Sequence, residues 1–128
     1  MKQQSYTAGS GYCQVEMTVT LTGDGLVVQL FGGDSPHVGA LALSLPRPSR
    51  AGGGRISCST SVITLTGHKD DEVAKPTAEE IAKACNQPVA VVAGLHVDNP
   101  GIETIAALVD NCRQVVQMFI NDLENQTL

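Results

Sequence analysis

The sequence predicts an α+β fold, a two-layer sandwich in which helices cover one face of an antiparallel or mixed β-sheet. Four β-type segments follow one another in the first half of the chain. Two helical patterns come after them, with a fifth β-type run between the two. Successive strands joined by short turns form hairpins, and helices gathered at the end of a chain pack together on one side of the sheet. The predicted order of elements is therefore ββββαβα.

The first two strands form a predicted hairpin. Apolar and polar residues alternate from Tyr12 to Leu21, which is the period of a half-buried strand, and a second strand runs from Leu26 to Phe31. Between them, Gly23-Asp24-Gly25 supplies the positive φ angles that a tight hairpin turn needs. Residues 1–10 are small and polar and are expected to form a flexible N-terminal tail, which leaves 11–128 as a single domain.

The third strand, Val38 to Leu45, is almost wholly apolar and is therefore expected near the centre of the sheet. Pro46 is expected to end it, because proline cannot donate to a strand ladder. The glycine-rich stretch from Ser49 to Gly54 reads as a hairpin tip. The fourth strand, Arg55 to Thr66, is rich in serine and threonine, so the uncovered face of the sheet is expected to be partly polar and able to dimerise.

The second half of the chain opens with a short predicted helix. Thr77 and Glu80 form a capping box, and Pro76 before them is expected to prevent a helix from running unbroken from Asp70 to Cys85. The apolar, β-branched run from Val89 to Ala93 predicts a fifth strand that is buried on both faces.

The last helix has Asn99 as its predicted N-cap and Pro100 as its first residue. Its charged residues, Arg113 among them, are expected to form a solvated face. Apolar residues at helical spacing form the predicted core-facing stripe, which contains Ile102, Ile105, Val109, Cys112, Val116, Phe119 and Leu123.

Composition excludes several classes of function. The net charge of −5 and only 8 basic residues argue against binding to nucleic acid or to an anionic membrane, both of which need a clustered positive surface. The chain shows neither a secretory signal nor an apolar run long enough to span a membrane. Its four cysteines are far apart and are expected to be free thiols in a reducing compartment, so we predict a cytoplasmic protein.

Three short polar segments, each holding a histidine, interrupt the apolar runs at His37, His68 and His96. Glycine beside each histidine lets a ligand approach the backbone, and histidine with aspartate supplies donors, acceptors and charge. If the three segments converge, they form a ligand site. A metal site built from the three histidines, with Asp70 or Asp98 nearby, stays open as an alternative, although no metal-binding or nucleophile motif is present.

Four strings of the sequence resemble the prenylated-flavin chaperone family, the LpdD-like accessory proteins found with UbiD-type gallate and aromatic-acid decarboxylases. The resemblance runs from about Tyr12 to Leu123. It implies a fold similar to that of small dimeric proteasome-assembly chaperones. The strings are Gly32 to Ala40, Pro46 to Ser49, the unusual Gly67-His68-Lys69-Asp70-Asp71-Glu72, and Ala93 to Asn99.

The resemblance implies a carrier rather than an enzyme. Such a protein would bind prenylated FMN as cargo, after its synthesis by a flavin prenyltransferase, and deliver it to a UbiD-type decarboxylase or help it mature there. A homodimer is expected. Gly33, Arg47 and Lys69 would hold the flavin phosphate. The full implied site consists of Gly33, Asp34, His37, Arg47, His68, Lys69, Asp70, Asp71, His96 and Asp98.

Two other functions remain open from the sequence. One is a metal-dependent enzyme that uses His37, His68 and His96 as ligands. The other is a purely protein-binding subunit of a decarboxylase complex, in which the polar segments contact the partner.

Overall fold

A computed structural model of the protein describes residues 1–65, 70–126 and 128. In this part of the chain a six-stranded mixed sheet carries two α-helices, which confirms the predicted α+β fold. The strand order across the sheet is β1-β2-β3-β6-β4-β5. The elements are β1 (Lys2–Ala8), β2 (Val15–Leu21), β3 (Leu26–Gly33), β4 (Ala40–Pro48), β5 (Ile56–Thr64), α1 (Asp71–Cys85), β6 (Val89–His96) and α2 (Ile102–Glu124).

The direction of the strands places both helix starts at one end of the sheet. Strand β4 is antiparallel to β5 and to β6, so β5 and β6 run the same way, and β6 is parallel to β3. The end of the sheet at Gly33, Ala40 and His96 is called the site edge, and the opposite end is called the distal edge. Because α1 follows β5 and α2 follows β6, both helices begin at the site edge.

The core lies between the sheet and the helices. Alternate side chains of the strands, such as Met17 and Leu30, are fully buried against Ile81 of α1 and Phe119 of α2. The ring of Tyr6 meets Phe119 edge-on at a centroid distance of 5.9 Å. No helix in the described residues is long and apolar enough to cross a membrane.

Strand β1 occupies the segment that we expected to be a flexible tail. Lys2–Ala8 pairs with β2 along its whole length, and Tyr6 and Ala8 are buried. The prediction failed because this is an edge strand whose other side chains are polar, so the alternation of apolar residues is short. The polar sequence Gly11–Cys13 forms a 3-10 turn, and β2 begins at Val15 rather than at Tyr12.

Strand β4 continues through the two prolines that were expected to end it. Its pairing with β6 stops at Ser44, opposite Val89, so Pro46 and Pro48 have only β5 beside them. The amide of Ser49 donates to Arg55 across the hairpin, and alternation therefore directs both proline nitrogens to the unpaired side. The missing N–H groups cost no ladder hydrogen bond there.

Helix α1 also passes through a proline, contrary to the prediction of a helix from Thr77. Pro76 lies inside Asp71–Cys85 and removes the hydrogen bond to the carbonyl of Glu72. Both residues are exposed, so water can reach that carbonyl. Complete burial of Ala74 on the first turns stabilises the helix against this loss.

Helix α2 begins at Ile102 rather than at Pro100. Its N-cap is Gly101, which makes no side-chain capping bond, and Asn99 adopts a left-handed φ of 46°. The predicted core stripe is buried toward the middle of the helix at Cys112, Val116 and Phe119. Ile102 and Ile105 at its start are 87% and 50% exposed.

The face of the sheet opposite the helices carries no helix or strand of the described residues and is called the open face. Its β4 row, Leu41, Leu43 and Leu45, is 39–47% exposed, and Ile63 of β5 is 66% exposed. On β2 the same face carries polar residues such as Thr18, which is paired with Gln29. The apolar part of the open face therefore lies on the four neighbouring strands β3, β6, β4 and β5.

Candidate functional site

The carboxylate of Asp70 lies at the centre of a polar cluster on the site edge. Its Oδ2 is 3.2 Å from Nε2 of His37, and its Oδ1 accepts a hydrogen bond of 2.9 Å from the backbone N–H of Leu95. The Asp70 side chain is only 8% exposed. This one carboxylate therefore ties the start of α1 to the β3–β4 loop and to the end of β6.

The contact of Nδ1 with Ser35 determines which tautomer of the His37 ring faces Asp70. Nδ1 lies 3.1 Å from the carbonyl oxygen of Ser35, and a carbonyl only accepts, so Nδ1 carries a proton in this contact. The Asp70 contact is then an ion pair when Nε2 is protonated as well. Hydrogen bonds between charged groups are about twice as strong as neutral ones, which favours a fixed orientation of this ring.

His96 brings a second polar segment to the same place. Its ring centroid is 6.0 Å from that of His37, with the two planes at 77°. Nε2 of His96 is 2.8 Å from Oδ1 of Asp98. The side chains of this second pair are 44% and 79% exposed, so it faces solvent where the first pair is half-buried.

Three glycines let these segments approach one another. The space that a Cβ atom would fill is taken by the His96 carbonyl at Gly33, by the Asp70 carboxylate at Gly39 and by the His37 carbonyl at Gly94. The glycines thus serve the packing of the polar cluster.

The backbone amides beside these glycines are already hydrogen-bonded within the protein. Gly33 N–H donates to Gln14, and Asp34 N–H donates to the His96 carbonyl at 2.9 Å. The phosphate role expected for the Gly33 amide is therefore not supported, because that amide has a protein acceptor.

A cleft of about 660 Å³ opens next to the polar cluster, between the first turns of the two helices and the end of β6. This volume is typical of pockets that hold small molecules. Asp70, Glu72, His96 and Arg113 are its polar lining residues. The rest of the wall is apolar and consists of Val73, Leu95, Val97, Pro100, Ile105, Leu108 and Val109.

Arg113 is the cation of this wall among the described residues. It is exposed, as predicted for the solvated face of α2, but its place at the border of a cleft was not predicted. It also borders a smaller recess of about 80 Å³ that continues between the two helices past Cys112. Burial, together with the negative charge of Asp70, raises the pKa of the Cys112 thiol to about 12. The cleft is thus polar at the site edge and apolar along its walls, and the exposed Arg113 supplies a cation at its border.

The profile of the prenylated flavin chaperone LpdD-like domain matches residues 9–124 of the sequence. The chain belongs to this family. None of the curated proteins matches the sequence. Among solved structures, the fold is similar to a chain of a chaperone complex for yeast 20S proteasome assembly. The TM-score is 0.60 at 19% identity, with 97% of this chain and 95% of that chain covered, so the likeness concerns the fold alone.

The structure brings together most of the described residues that the family resemblance implied. Asp34 and Asp98 lie exposed at the site edge, near His37, Asp70 and His96. His68 and Lys69 lie outside the described residues, as does the side chain of Asp71, whose backbone begins α1.

Arg47 does not join this family site within one chain. It is seven residues from Ala40 along β4, about 23 Å away toward the distal edge. There its Nε donates to Oγ of Ser59 at 3.0 Å.

The metal alternative gains no ligand set from residues 1–65 and 70–126. Within them, no group of three or more histidine, cysteine or acidic side chains lies close enough to hold an ion. His37 and His96 are neighbours, and each already contacts an aspartate.

Proposed function

We propose that this protein binds prenylated FMN in the cleft and carries it to a UbiD-type decarboxylase without catalysing a reaction on it. The observation that carries the proposal is the cleft itself, an apolar slot of about 660 Å³ with a polar cluster at its mouth. A prenylated flavin has the matching halves, since its fused ring system is largely apolar and its phosphate is charged. Membership of the chaperone family supports this choice of ligand.

The apolar wall suits a ligand that must later be released. Leu95, Val97 and Leu108 offer a surface against which the fused rings pack by burial of apolar area. The chain has no Trp, only 2 Tyr and 2 Phe, and none of them lines the cleft, so no Trp, Tyr or Phe ring stacks on the flavin. A carrier needs moderate affinity, because the acceptor enzyme must bind the cofactor more tightly than the carrier does.

The two ends of the cleft suggest how the cargo lies. A phosphate dianion is the part most costly to remove from water, so it stays at the exposed mouth near His96 and Asp98. The ring system then extends along the apolar wall to Arg113, whose exposed guanidinium donates to the carbonyl oxygens of its pyrimidine edge.

The proposal includes a homodimer, a donor and a compartment. The exposed leucines of β4 and Ile63 of β5 form an apolar surface of the kind that marks an interface between proteins. A flavin prenyltransferase supplies the cargo, and the UbiD-type decarboxylase receives it. The four free cysteines support the cytoplasm as the place of this exchange.

Co-expression with a flavin prenyltransferase tests the proposal. The purified protein is expected to contain prenylated FMN, detected by its absorption spectrum and by the mass of the released ligand. Ile105→Trp fills the cleft from a half-exposed position and is expected to abolish loading. Gln117→Trp on an exposed position of the same helix outside the cleft is the matched control and should load normally.

A ligand-free wild-type protein would overturn the carrier proposal. If that protein still bound the decarboxylase, the protein-binding subunit would take its place. Stoichiometric zinc, iron or manganese that is lost in His96→Ala would instead favour the metal-dependent enzyme.

A further inference from the structure

The charges of the chain are separated between the two ends of the sheet. The β4–β5 hairpin, residues 46–56, carries Arg47, Arg50 and Arg55, and no acidic residue occurs anywhere from position 35 to 65. This segment is called the basic hairpin, and it lies at the distal edge. Among the described residues the site edge is mainly acidic, since Lys75 and Arg113 are outnumbered there by Asp34, Asp70, Glu72, Asp98 and Glu103.

Arg47 belongs to the open face. Side chains alternate along a strand, so Arg47 lies on the same side of β4 as the exposed Leu43 and Leu45. Ser59 of β5 is the residue paired with Leu45, and the hydrogen bond from Arg47 to Ser59 holds the guanidinium over that face. The guanidinium has five N–H donors, and the bond to Ser59 and a longer one to the Pro48 carbonyl leave others available.

We infer that a second copy of this chain covers the open face with its strands antiparallel, and that its Arg47 completes the mouth of the cleft. This inference rests on the proposed function. It names the second copy as a source of positive charge for the flavin phosphate. In this arrangement each subunit contributes the cleft of one site and the basic hairpin of the other.

The register of β4 supports this geometry. A two-fold axis that passes near Leu43 and lies across the strands places the partner subunit's Arg47 over Gly39, since both residues are four positions, about 13 Å, from Leu43 along the strand. It also packs Leu41 of one copy against Leu45 of the other. Stacked sheets are about 10 Å apart, a gap that long arginine side chains cross.

Charge selects this orientation over the alternative. With the axis along the strands, the two basic hairpins would meet, and six arginines would repel one another. With the axis across the strands, each basic hairpin meets an acidic site edge. The partner subunit's Arg47 then supplies a charge-assisted hydrogen bond to the phosphate at this acidic mouth.

The experiment is a complementation between two defective variants. Arg47→Gln is expected to weaken prenylated-FMN binding about tenfold or more as a homodimer, and Ile105→Trp blocks its own cleft. Both are co-expressed with different tags and with a flavin prenyltransferase, and the heterodimer is isolated on both tags. Its one open cleft faces an intact Arg47 from the other subunit, so it is expected to hold one flavin per dimer with wild-type affinity.

If Arg47 acted within its own chain, the heterodimer would bind no better than the Arg47→Gln homodimer, and the inference would be wrong. Wild-type affinity of Arg47→Gln itself would overturn it too. Failure of the wild-type protein to bind flavin would instead count against the proposed function. Arg50→Gln, on the same hairpin, is the control for a general loss of positive charge. Mass measurement of each variant confirms that it is still a dimer.

Discussion

Asp70 and His37 form a half-buried pair in which the carboxylate Oδ2 lies 3.2 Å from the imidazole Nε2. The other oxygen of Asp70 is engaged by the Leu95 amide, so the carboxylate is used on both sides for structure. Nearby, the His96–Asp98 pair is exposed. The mouth of the cleft therefore has a fixed inner pair and an outer pair whose side chains can turn toward a ligand.

Removal of the Asp70 carboxylate is expected to destabilise the protein more than its conversion to an amide. Asp70→Ala leaves the part-buried Leu95 N–H without its acceptor, which costs about 1–3 kcal/mol. Asp70→Asn keeps an oxygen for that N–H and an NH2 group for a neutral His37, so it is expected to lose less than half as much. Urea unfolding of both variants measures the difference. Equal losses would show that the charge, rather than the hydrogen bonds, matters.

Gly94 is expected to tolerate no side chain. A Cβ atom there would occupy the position of the His37 carbonyl, and because both lie on backbone the clash cannot be relieved by a rotamer change. Gly94→Ala should therefore lower the free energy of unfolding by about 2 kcal/mol or more. Gly23→Ala, where a Cβ atom meets nothing within 4 Å, is the control and should unfold like the wild type. A stable Gly94→Ala protein would contradict the close packing of the β3–β4 loop on β6.

Much of the fold follows from periodicity in the sequence. The alternation around Val19 and the apolar run from Val89 locate two central strands, because a buried face leaves a regular pattern. Edge strand β1 was missed since it buries little, and Pro76 was overvalued since its lost hydrogen bond faces water. Local rules thus fail where tertiary packing supplies or removes the partner.

The candidate site was also partly predictable from the sequence. Convergence of the His37 and His96 segments follows once β3 and β6 are parallel neighbours, with Gly33 opposite His96. The cleft was missed because a helical stripe does not show which end of a helix overhangs the sheet. A comparison of lengths would have helped, since the 23 residues of α2 span about 35 Å and the 8 residues of β6 about 26 Å.

Stability at alkaline pH is expected to depend on Tyr6. Burial, followed by its hydrogen bond to Asp122, raises the pKa of this phenol above its usual value of about 10. The folded state therefore holds the proton more tightly than the unfolded state. The resulting stabilisation is fully present below about pH 10 and is lost as the pH rises through the folded-state value.

Tyr6→Phe removes this pH-dependent stabilisation. Above about pH 10 the free energy of unfolding of the variant is therefore expected to fall less steeply than that of the wild type. At neutral pH the variant should be less stable by about 1 kcal/mol, the contribution of a typical hydrogen bond. Urea unfolding from pH 7 to 11 measures both effects. Tyr12→Phe, at a position 60% exposed, is the control and should follow the wild type.

A charge at the centre of the apolar part of the open face is expected to separate the proposed dimer. Leu43 is 45% exposed, so Leu43→Asp leaves the core intact but places a carboxylate in the interface, opposite its own copy. Light scattering after size exclusion should show half the wild-type mass. Gln117→Asp, at an exposed position of α2 on the other side of the sheet, should stay dimeric. A wild-type monomer at micromolar concentration would contradict the dimer.

Arg113 is expected to contact the flavin ring rather than its phosphate. Arg113→Gln should weaken binding about tenfold, within the range for hydrogen bonds to a charged group at a partly exposed site. Because FMN and riboflavin differ only by the phosphate, both should lose affinity by the same factor in titrations followed by flavin fluorescence. Lys83→Gln, in the last turn of α1, is the charge-matched control. A loss confined to FMN would place the phosphate at Arg113 and reverse the direction in which the cargo enters the cleft.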